Sequence, residues 1–381
     1  MSSKAMFRLQ RVKNLLTEKN LYLNGILISS TPTITYLTNY SGFSILEREA
    51  YLFITKSESY LLTDGRYTEA VRNIPNFVLI EISPINSLQK MLIHLANKHN
   101  IKKLGIEENN LTVSEYKRLK KCFNDLNHFS IRDLRSIKDK GEIFSIEQAC
   151  QLGDKTFDYI LKKIKQGVTE KEIAFEIEFF IKKAGADISF KPIVAFGKNS
   201  AIPHHQTSDK QLAIRDKFVL LDFGAKIDNY CSDMTRTVFF GKANAEQKKM
   251  HQIVLDAQNQ AIDYLYSSRE RSESRSEFST SSNNKIHAKD VDKVARDYIT
   301  SQGYPTIPHS LGHGIGLEVH ESPSLSPKSK DILKPGMVFS IEPGIYIAGF
   351  GGVRIEDLVI LEPSGPRLLT KSPKSFIELP H

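Results

Sequence analysis

The chain has 381 residues, of which 40% are hydrophobic and 25% charged, so its composition is that of a globular protein long enough for two domains. The net charge of +8 comes from residues 1–140, which hold 21 Lys and Arg against 13 Asp and Glu. These basic residues never form runs longer than two, and few aromatic residues lie between them. This pattern favours a solvated basic surface over a nucleic-acid surface, so we expect no nucleic-acid partner. Nucleic-acid binding through this third of the chain stays open as an alternative.

No apolar run approaches the roughly 18 residues that span a bilayer, and the first 20 residues have no continuous apolar core. Cys122, Cys150 and Cys231 are far apart and form no CxxC pair. That spacing argues against a disulfide framework or a zinc knuckle, and it suits a reducing compartment. We therefore expect a cytoplasmic protein with no membrane partner.

The first third alternates short apolar runs with amphipathic stretches, which predicts an α/β domain over residues 1–135. Strands are predicted at 21–29 and within 51–62, and helices at 85–99 and 112–123. The second of these helices opens with Thr and Glu three residues apart, the pattern of a capping box.

Longer amphipathic helices are predicted after residue 136. One covers 138–166, a second runs from a capping box at Thr169 to Gly185, and a third starts near Asn244. The Ser-rich stretch 267–285 then follows. It contains too little apolar surface to offset the entropy of ordering, so we expect a mobile insertion there.

The segment VLLDFGAKIDNYCSDMTRTVFF, residues 219–240, has β-type residues on both sides of a turn at Asp228 and Asn229. Folding the chain at this turn places Asp222 and Asp233 opposite each other or one pair apart, on the same face. Like charges so close are destabilising. Such a pair therefore requires a cation or a shared proton.

A second hairpin is predicted in FSIEPGIYIAGFGGVRIEDLVI, residues 339–360. Glu342 and Glu356 flank its glycine-rich turn, and the fold-back again makes them cross-strand neighbours. Arg354 shares a face with Glu356 because it is two residues away, whereas Asp357 points to the other side. Surface strands often carry such acids, so neither hairpin alone defines a site.

The stretch HSLGHGIGLEVHESP, residues 309–323, contains His313 and His320 seven residues apart. Its three alternating glycines disfavour a helix. In an extended chain an odd offset points side chains to opposite faces, so the spacing predicts at most one metal ligand of the two. One imidazole and four carboxylates suit two divalent ions, which can hold a hydroxide and polarise a carbonyl as in hydrolysis.

Together these motifs resemble the metallopeptidases of the pita-bread fold, which include methionine aminopeptidase, aminopeptidase P and prolidase. The resemblance covers residues 136–381 and is carried by DFGA, SDMTRT, LGHGIGLEVHESP, IEPGIY and GVRIED, preceded by NSAIPHH at 199–205. LTNYSGF and LTDGRY resemble the creatinase-like N-terminal domain more loosely. The resemblance implies an α+β protein, with a smaller α/β creatinase-like domain at 1–135 and a pita-bread catalytic domain at 136–381.

By position, the resemblance implies five metal ligands. Asp222 would bind one ion through both oxygens, and Asp233 and Glu356 would bridge the two ions. His313 and Glu342 would complete the coordination of the other ion. We expect two divalent ions per subunit, with Mn²⁺ as the first choice and Co²⁺, Zn²⁺ or Fe²⁺ as alternatives.

The resemblance also implies four catalytic residues. Glu342 would act as general base towards a hydroxide that bridges the metals. His204 would contact the scissile amide, and His320 would stabilise the developing oxyanion or shuttle a proton. Arg354 would orient the substrate or the bridging carboxylate. His309, at the start of the glycine motif, is expected to be structural.

The implied activity is that of an Xaa-Pro aminopeptidase, which hydrolyses the bond between an N-terminal residue and proline in proline-containing peptides. The first third favours a proline-specific enzyme, because methionine aminopeptidases usually have little chain before the catalytic domain. Length and motif wording favour the aminopeptidase P type among the proline-specific members. Two alternatives stay open: an Xaa-Pro dipeptidase (prolidase), and a non-catalytic peptide-binding relative of the same fold. The resemblance also implies a homodimer.

Overall fold

The structure is a computed structural model and describes residues 2–17, 23–273 and 285–380. The chain divides into two compact units, Met1–Leu134 and Arg135–His381. Across the described ranges, none of the helices combines the length and the apolar character that crossing a membrane requires.

The first unit is built on one sheet of six strands. These are β1 (Gly25–Ile28), β2 (Ala50–Thr55), β3 (Ser59–Asp64), β4 (Val78–Ile82), β5 (Lys103–Ile106) and β6 (Asp125–His128), in the order β4-β3-β2-β1-β5-β6. The helices are α1 (Ser2–Leu15), α2 (Thr31–Thr38), α3 (Thr68–Val71), α4 (Leu88–Lys98) and α5 (Val113–Lys120). Apolar residues of α4 and α5 are buried with those of the central strands. The α/β prediction for this part of the chain is confirmed, as is the capping box at α5.

Helices of the second unit follow the predicted amphipathic stretches. After the short α6 (Arg132–Ser136), they are α7 (Lys140–Leu161), α8 (Glu170–Lys183), α9 (Ala245–Glu273) and α10 (Ala288–Ser301). Capping boxes open α7 and α8, and Gly185 and Gly303 follow α8 and α10 with positive φ angles of 82° and 84°. Glycine adopts this backbone conformation without the steric penalty of other residues.

The first part of the expected mobile insertion at 267–285 is helical, because α9 continues through 267–273. Arg and Glu are good helix formers, and a helix already started by packing propagates through them even where apolar residues are few. The remainder of the predicted insertion, 274–284, lies outside the described residues.

The strands of the second unit form several small sheets. They are β7 (Asp187–Ile188), β8 (Ile193–Phe196), β9 (Phe218–Phe223), β10 (Ala225–Ile227), β11 (Tyr230–Cys231), β12 (Met234–Phe240), β13 (Ile286–His287), β14 (Gly312–Gly314), β15 (Glu321–Leu325), β16 (Ile332–Leu333), β17 (Val338–Ile341), β18 (Gly344–Ile347), β19 (Gly351–Arg354), β20 (Asp357–Glu362), β21 (Gly365–Leu368) and β22 (Glu378–Leu379). The two larger sheets have the orders β22-β12-β9-β8 and β15-β14-β17-β20-β21.

Two apolar clusters fix these sheets against the helices. One contains the predicted stripe of α9, including Met250, Val254 and Ala257, together with α10 and the strands around β17 and β19. The other packs α7 and α8 against β8, β9 and β12. The mixed helix and sheet content confirms the predicted α+β class. The strands that carry the predicted carboxylates are thereby anchored in the core.

Candidate active site

The first predicted hairpin forms with the expected register. Strand β9 pairs antiparallel with β12, and Asp222 lies opposite Thr235. Asp233 is two residues before Thr235, so it lies one pair from Asp222 on the same face. Asp228 and Asn229 form the turn between β10 and β11 with φ angles of 49° and 71°, the left-handed conformation that the tightest hairpin turns require.

The second hairpin also forms, and its register places Glu342 opposite Glu356. On one side of this pair Ile341 lies opposite Asp357 between β17 and β20, and on the other Gly344 lies opposite Arg354 between β18 and β19. Both ladders have the same register, so the two glutamates face each other where the ladders meet. The Asp357 side chain points away from them, as predicted, and forms an ion pair with Arg236 on the reverse face.

His313 is in the middle of β14, between β15 and β17. Its Nδ1 lies 3.1 Å from the carbonyl oxygen of Gly314, which can only accept a hydrogen bond, so Nδ1 carries the proton. Nε2 lies 3.4 Å from Glu342 Oε1 and 3.7 Å from Asp233 Oδ2. A side-chain carbon at Gly312 would lie 1.9 Å from the carbonyl oxygen of Ser340, so only glycine lets the adjacent strand approach this closely.

The expectation that His313 and His320 point to opposite sides is wrong. Their ring centroids are 4.3 Å apart. Side-chain alternation holds only while the chain stays extended, and here the register shifts after His313. The chain then reverses through residues 315–320, so that Gly314 pairs with Glu321.

A cavity of about 460 Å³ brings the predicted site residues together. All eight of them line it: His204, Asp222, Asp233, His313, His320, Glu342, Arg354 and Glu356. Phe190, Ile193, Pro203 and Val319 supply apolar wall, so the cavity combines an acidic floor with surface that suits a ring or aliphatic side chain.

Comparison with known proteins agrees with this arrangement. Residues 145–363 match metallopeptidase family M24, and residues 8–137 match the Creatinase/Prolidase N-terminal domain. The chain belongs to metallopeptidase family M24. It is therefore a hydrolase whose family uses divalent metal ions, and the predictions of enzyme class and family are confirmed.

Similarity to individual M24 relatives extends over nearly the whole chain. The chain is 36% identical to an Xaa-Pro dipeptidase of Pyrococcus horikoshii, over 93% of this chain and 95% of the relative. The solved structure of an Xaa-Pro dipeptidase from Bacillus anthracis is 35% identical, with a TM-score of 0.86, and the match covers 98% of this chain and 100% of that one. The structure of an X-Pro aminopeptidase from Thermotoga maritima is 33% identical, with a TM-score of 0.80, and covers 97% and 99%.

The M24 carboxylates have the electrostatics of a site built for cations. Burial raises the pKa of Glu342 to about 8 and raises the pKa of Asp222, in both cases against the opposing charge of Arg354. Burial and the neighbouring carboxylates raise the pKa values of Asp233 and Glu356 well above those of free acids. Four acids held so close are stable as anions only when positive charge lies among them.

Hydrogen bonding in the cluster fits the divalent ions that the M24 family implies. Within the described part of the chain, Asp233 Oδ1 and Glu356 Oε1 are buried without a hydrogen-bond partner. Ligand atoms of Asp233, His313 and Glu356 lie within 4.8 Å of one another. Burial lowers the pKa of His313, against hydrogen bonds to the backbone of Gly314 and Val319, and so favours the neutral imidazole that binds metal.

Arg354 ties the two carboxylate hairpins together. Its Nη2 donates to Asp222 Oδ2 at 2.5 Å, and its Nε donates to Thr235 Oγ1 at 2.9 Å. The Thr235 hydroxyl in turn donates to Glu356 Oε2 at 2.7 Å. Nη1 donates to the Tyr346 hydroxyl at 3.1 Å and to the Pro203 carbonyl at 3.2 Å. All three guanidinium nitrogens are therefore engaged within the site.

Sequence reasoning missed two contributions to this site. His309, expected to be structural, lines the cavity with Nδ1 4.0 Å from Glu342 Oε2 and Nε2 2.9 Å from the Tyr346 hydroxyl. Glu170 is fully buried and accepts from the backbone of Phe196 and from Asn199, Ser208 and His205, which holds the loop that carries His204. His309 could have been found because it belongs to the same glycine-rich motif, residues 309–323, as His313 and His320. The sequence around Glu170 contains no pattern that indicates a role in the site.

Proposed function

We propose that this M24 metallopeptidase is an Xaa-Pro aminopeptidase, which removes the first residue of peptides that have proline second. Asp222, Asp233, His313, Glu342 and Glu356 are proposed as the ligands of two divalent ions. The proposal is supported by the four acids and His313, which line one cavity, and by the relatives whose names include Xaa-Pro specificity. It places the chemistry in the predicted catalytic domain, 136–381.

Bound divalent ions would polarise the scissile carbonyl and lower the pKa of water at the site. Four residues of the chain would carry out the other steps of the reaction. Glu342, whose carboxylate lines the cavity beside His313, accepts the proton of the attacking water. His204 contacts the substrate amide, and His320 donates a hydrogen bond to the oxygen on which negative charge develops. Arg354 orients the substrate or, through the Thr235 hydroxyl, the Glu356 carboxylate.

The charge of the cavity wall is the observation that favours longer peptides over dipeptides. A dipeptide carries its free carboxylate next to the reacting bond. The four carboxylate ligands already balance the charge of the two proposed divalent ions, so burying a further negative charge requires another cation. Arg354 is the one permanently charged cation among the described residues that line the cavity, and its donors are already engaged. Burial lowers the pKa values of His309, to about 4, and of His320, so these rings are uncharged at neutral pH.

An Xaa-Pro dipeptidase is the second candidate, because relatives with that name match the chain over nearly its full length. The two candidates are distinguished by assaying the purified chain, with added Mn²⁺ or Co²⁺, on the tripeptide Lys-Pro-Pro and on the dipeptide Lys-Pro. The aminopeptidase proposal expects a higher kcat/KM for the tripeptide. Turnover of the dipeptide alone would establish the second candidate instead.

Three finer points belong to the same proposal. Mn²⁺ as the metal and a homodimer as the assembly are supported by the family resemblance alone. A cytoplasmic location is supported by the three free cysteines, Cys122, Cys150 and Cys231.

A further inference from the structure

An acidic residue lies close to His320 on each side in the sequence, and the same arginine binds both. Glu318 lies two residues before His320 and Glu321 one residue after it. Arg135 Nη2 lies 2.8 Å from Glu318 Oε2 and also contacts Glu321 Oε2. A single nitrogen therefore binds side chains on both sides of the histidine.

Lys138 completes this cluster. Its Nζ lies 2.8 Å from the second carboxylate oxygen, Glu321 Oε1. The side chains of Lys138, Arg135 and Glu321 are only 1%, 9% and 9% exposed, whereas that of Glu318 is 45% exposed. Two cations and two carboxylates balance in charge, which a buried cluster requires.

The surrounding backbone makes room for the cluster. A side-chain carbon at Gly316 would lie 2.3 Å from Glu321 Oε1, so only glycine at this position leaves space for the Glu321 carboxylate beside the loop backbone. The Gly316 N–H donates to the carbonyl of Glu318 at 3.0 Å. The loop 315–320 is thus closed on itself and anchored to Arg135, and this geometry returns the His320 ring to within 4.3 Å of the His313 ring.

We infer that Arg135 is a positioning residue for His320, because it binds the carboxylates on both sides of that histidine and so holds its imidazole in the cavity. The inference rests on the proposed function, in which His320 acts on the substrate. Arg135 itself does not line the cavity. Its loss should therefore reduce the rate of the chemical step far more than substrate binding or metal content.

A double-mutant cycle tests this directly, since a residue that acts only through a second one has no effect once the second is gone. We would measure kcat and KM on Lys-Pro-Pro for the Mn²⁺-loaded full chain, for Arg135→Gln and His320→Ala, and for the double variant. We expect Arg135→Gln to lower kcat about tenfold or more with KM within threefold and metal content unchanged. In the His320→Ala background the same change should alter kcat less than twofold.

Two further variants keep the test interpretable. Arg132→Gln changes an exposed arginine of the same helix and should leave kcat unchanged. Glu318→Gln removes one anchor at a half-exposed position where misfolding is not expected; it should lower kcat about threefold in the wild-type background and not in the His320→Ala background. It decides the question if Arg135→Gln does not fold.

Two results would overturn the inference: unchanged kcat in Arg135→Gln and Glu318→Gln, or the same fractional loss with and without His320. The second result would show that the cluster only stabilises the fold. Failure of the proposed function is distinguishable, because the wild-type chain would then not turn over Lys-Pro-Pro at all.

Discussion

Replacing Arg236 with methionine should destabilise the protein strongly, because this arginine is a buried cross-link behind the metal ligands. Its Nη2 donates to Asp357 Oδ1 and its Nη1 to the Glu356 carbonyl, each at 2.6 Å, and both side chains of the ion pair are at most 3% exposed. Without Arg236, Asp357 retains the Thr370 hydroxyl and an ion pair with Lys374 at 3.0 Å that lies outside hydrogen-bonding geometry.

Breaking a buried ion pair by removing one partner costs roughly 3–5 kcal/mol of folding free energy, because the remaining charge is left uncompensated. Lys374 keeps part of that compensation, so we expect the lower half of this range for Arg236→Met. Arg367→Met is the matched control. Arg367 is 41% exposed and pairs with Glu147 and Glu362 on the surface, where such pairs contribute about 0–1 kcal/mol.

Equilibrium urea denaturation of the metal-free proteins measures both differences. Metal affinity should also fall in Arg236→Met and not in Arg367→Met, because Arg236 joins β12, which follows Asp233, to the backbone of Glu356. A loss of stability in Arg236→Met no larger than in the control would refute the argument from burial.

Three other predictions follow from the structure. Burial, with the charge of Arg236, lowers the pKa of His251 to about 4, so between pH 6.5 and pH 4 the unfolded chain binds a proton at this residue and the folded chain does not. The free energy of unfolding should therefore fall by about 3 kcal/mol more in wild type than in His251→Leu as pH drops from 7 to 4. Parallel pH profiles of the urea midpoint for the two proteins would contradict this. Gly312→Ala should lose several kcal/mol of folding free energy, since no room exists beside the Ser340 carbonyl; a urea midpoint like that of wild type would show that β14 can move away. Ala-Pro amide should be hydrolysed with a higher kcat/KM than Ala-Pro, because it lacks the free carboxylate; equal values would remove the charge argument for longer peptides.

The carboxylate pairs could be predicted from the sequence because residues within each hairpin determine its register. The turn residues Asp228 and Asn229 set the register of Asp222 and Asp233, and strand alternation then assigns the face. Both steps depend on neighbours in sequence. The same reasoning correctly turned Asp357 away from the site.

The relation between His313 and His320 could not be predicted in this way. It depends on a loop whose shape is held by Arg135, a residue more than 170 positions earlier in the chain. The Glu170 contacts to the loop of His204 are likewise long-range. Side-chain periodicity and motif spacing predict which face a residue lies on only while the chain stays extended. They do not predict a chain reversal whose contacts come from residues distant in sequence.

The central claim, that His313 is the imidazole ligand of a site for two divalent ions, is tested most directly by counting bound metal. Wild type, His313→Ala and His320→Ala would be reconstituted with Mn²⁺, freed of excess ion and analysed by inductively coupled plasma mass spectrometry. We expect two ions per chain in wild type, the same in His320→Ala, and a clear loss in His313→Ala. Equal loss of metal from both variants would contradict the assignment, as would a wild-type protein that retains none.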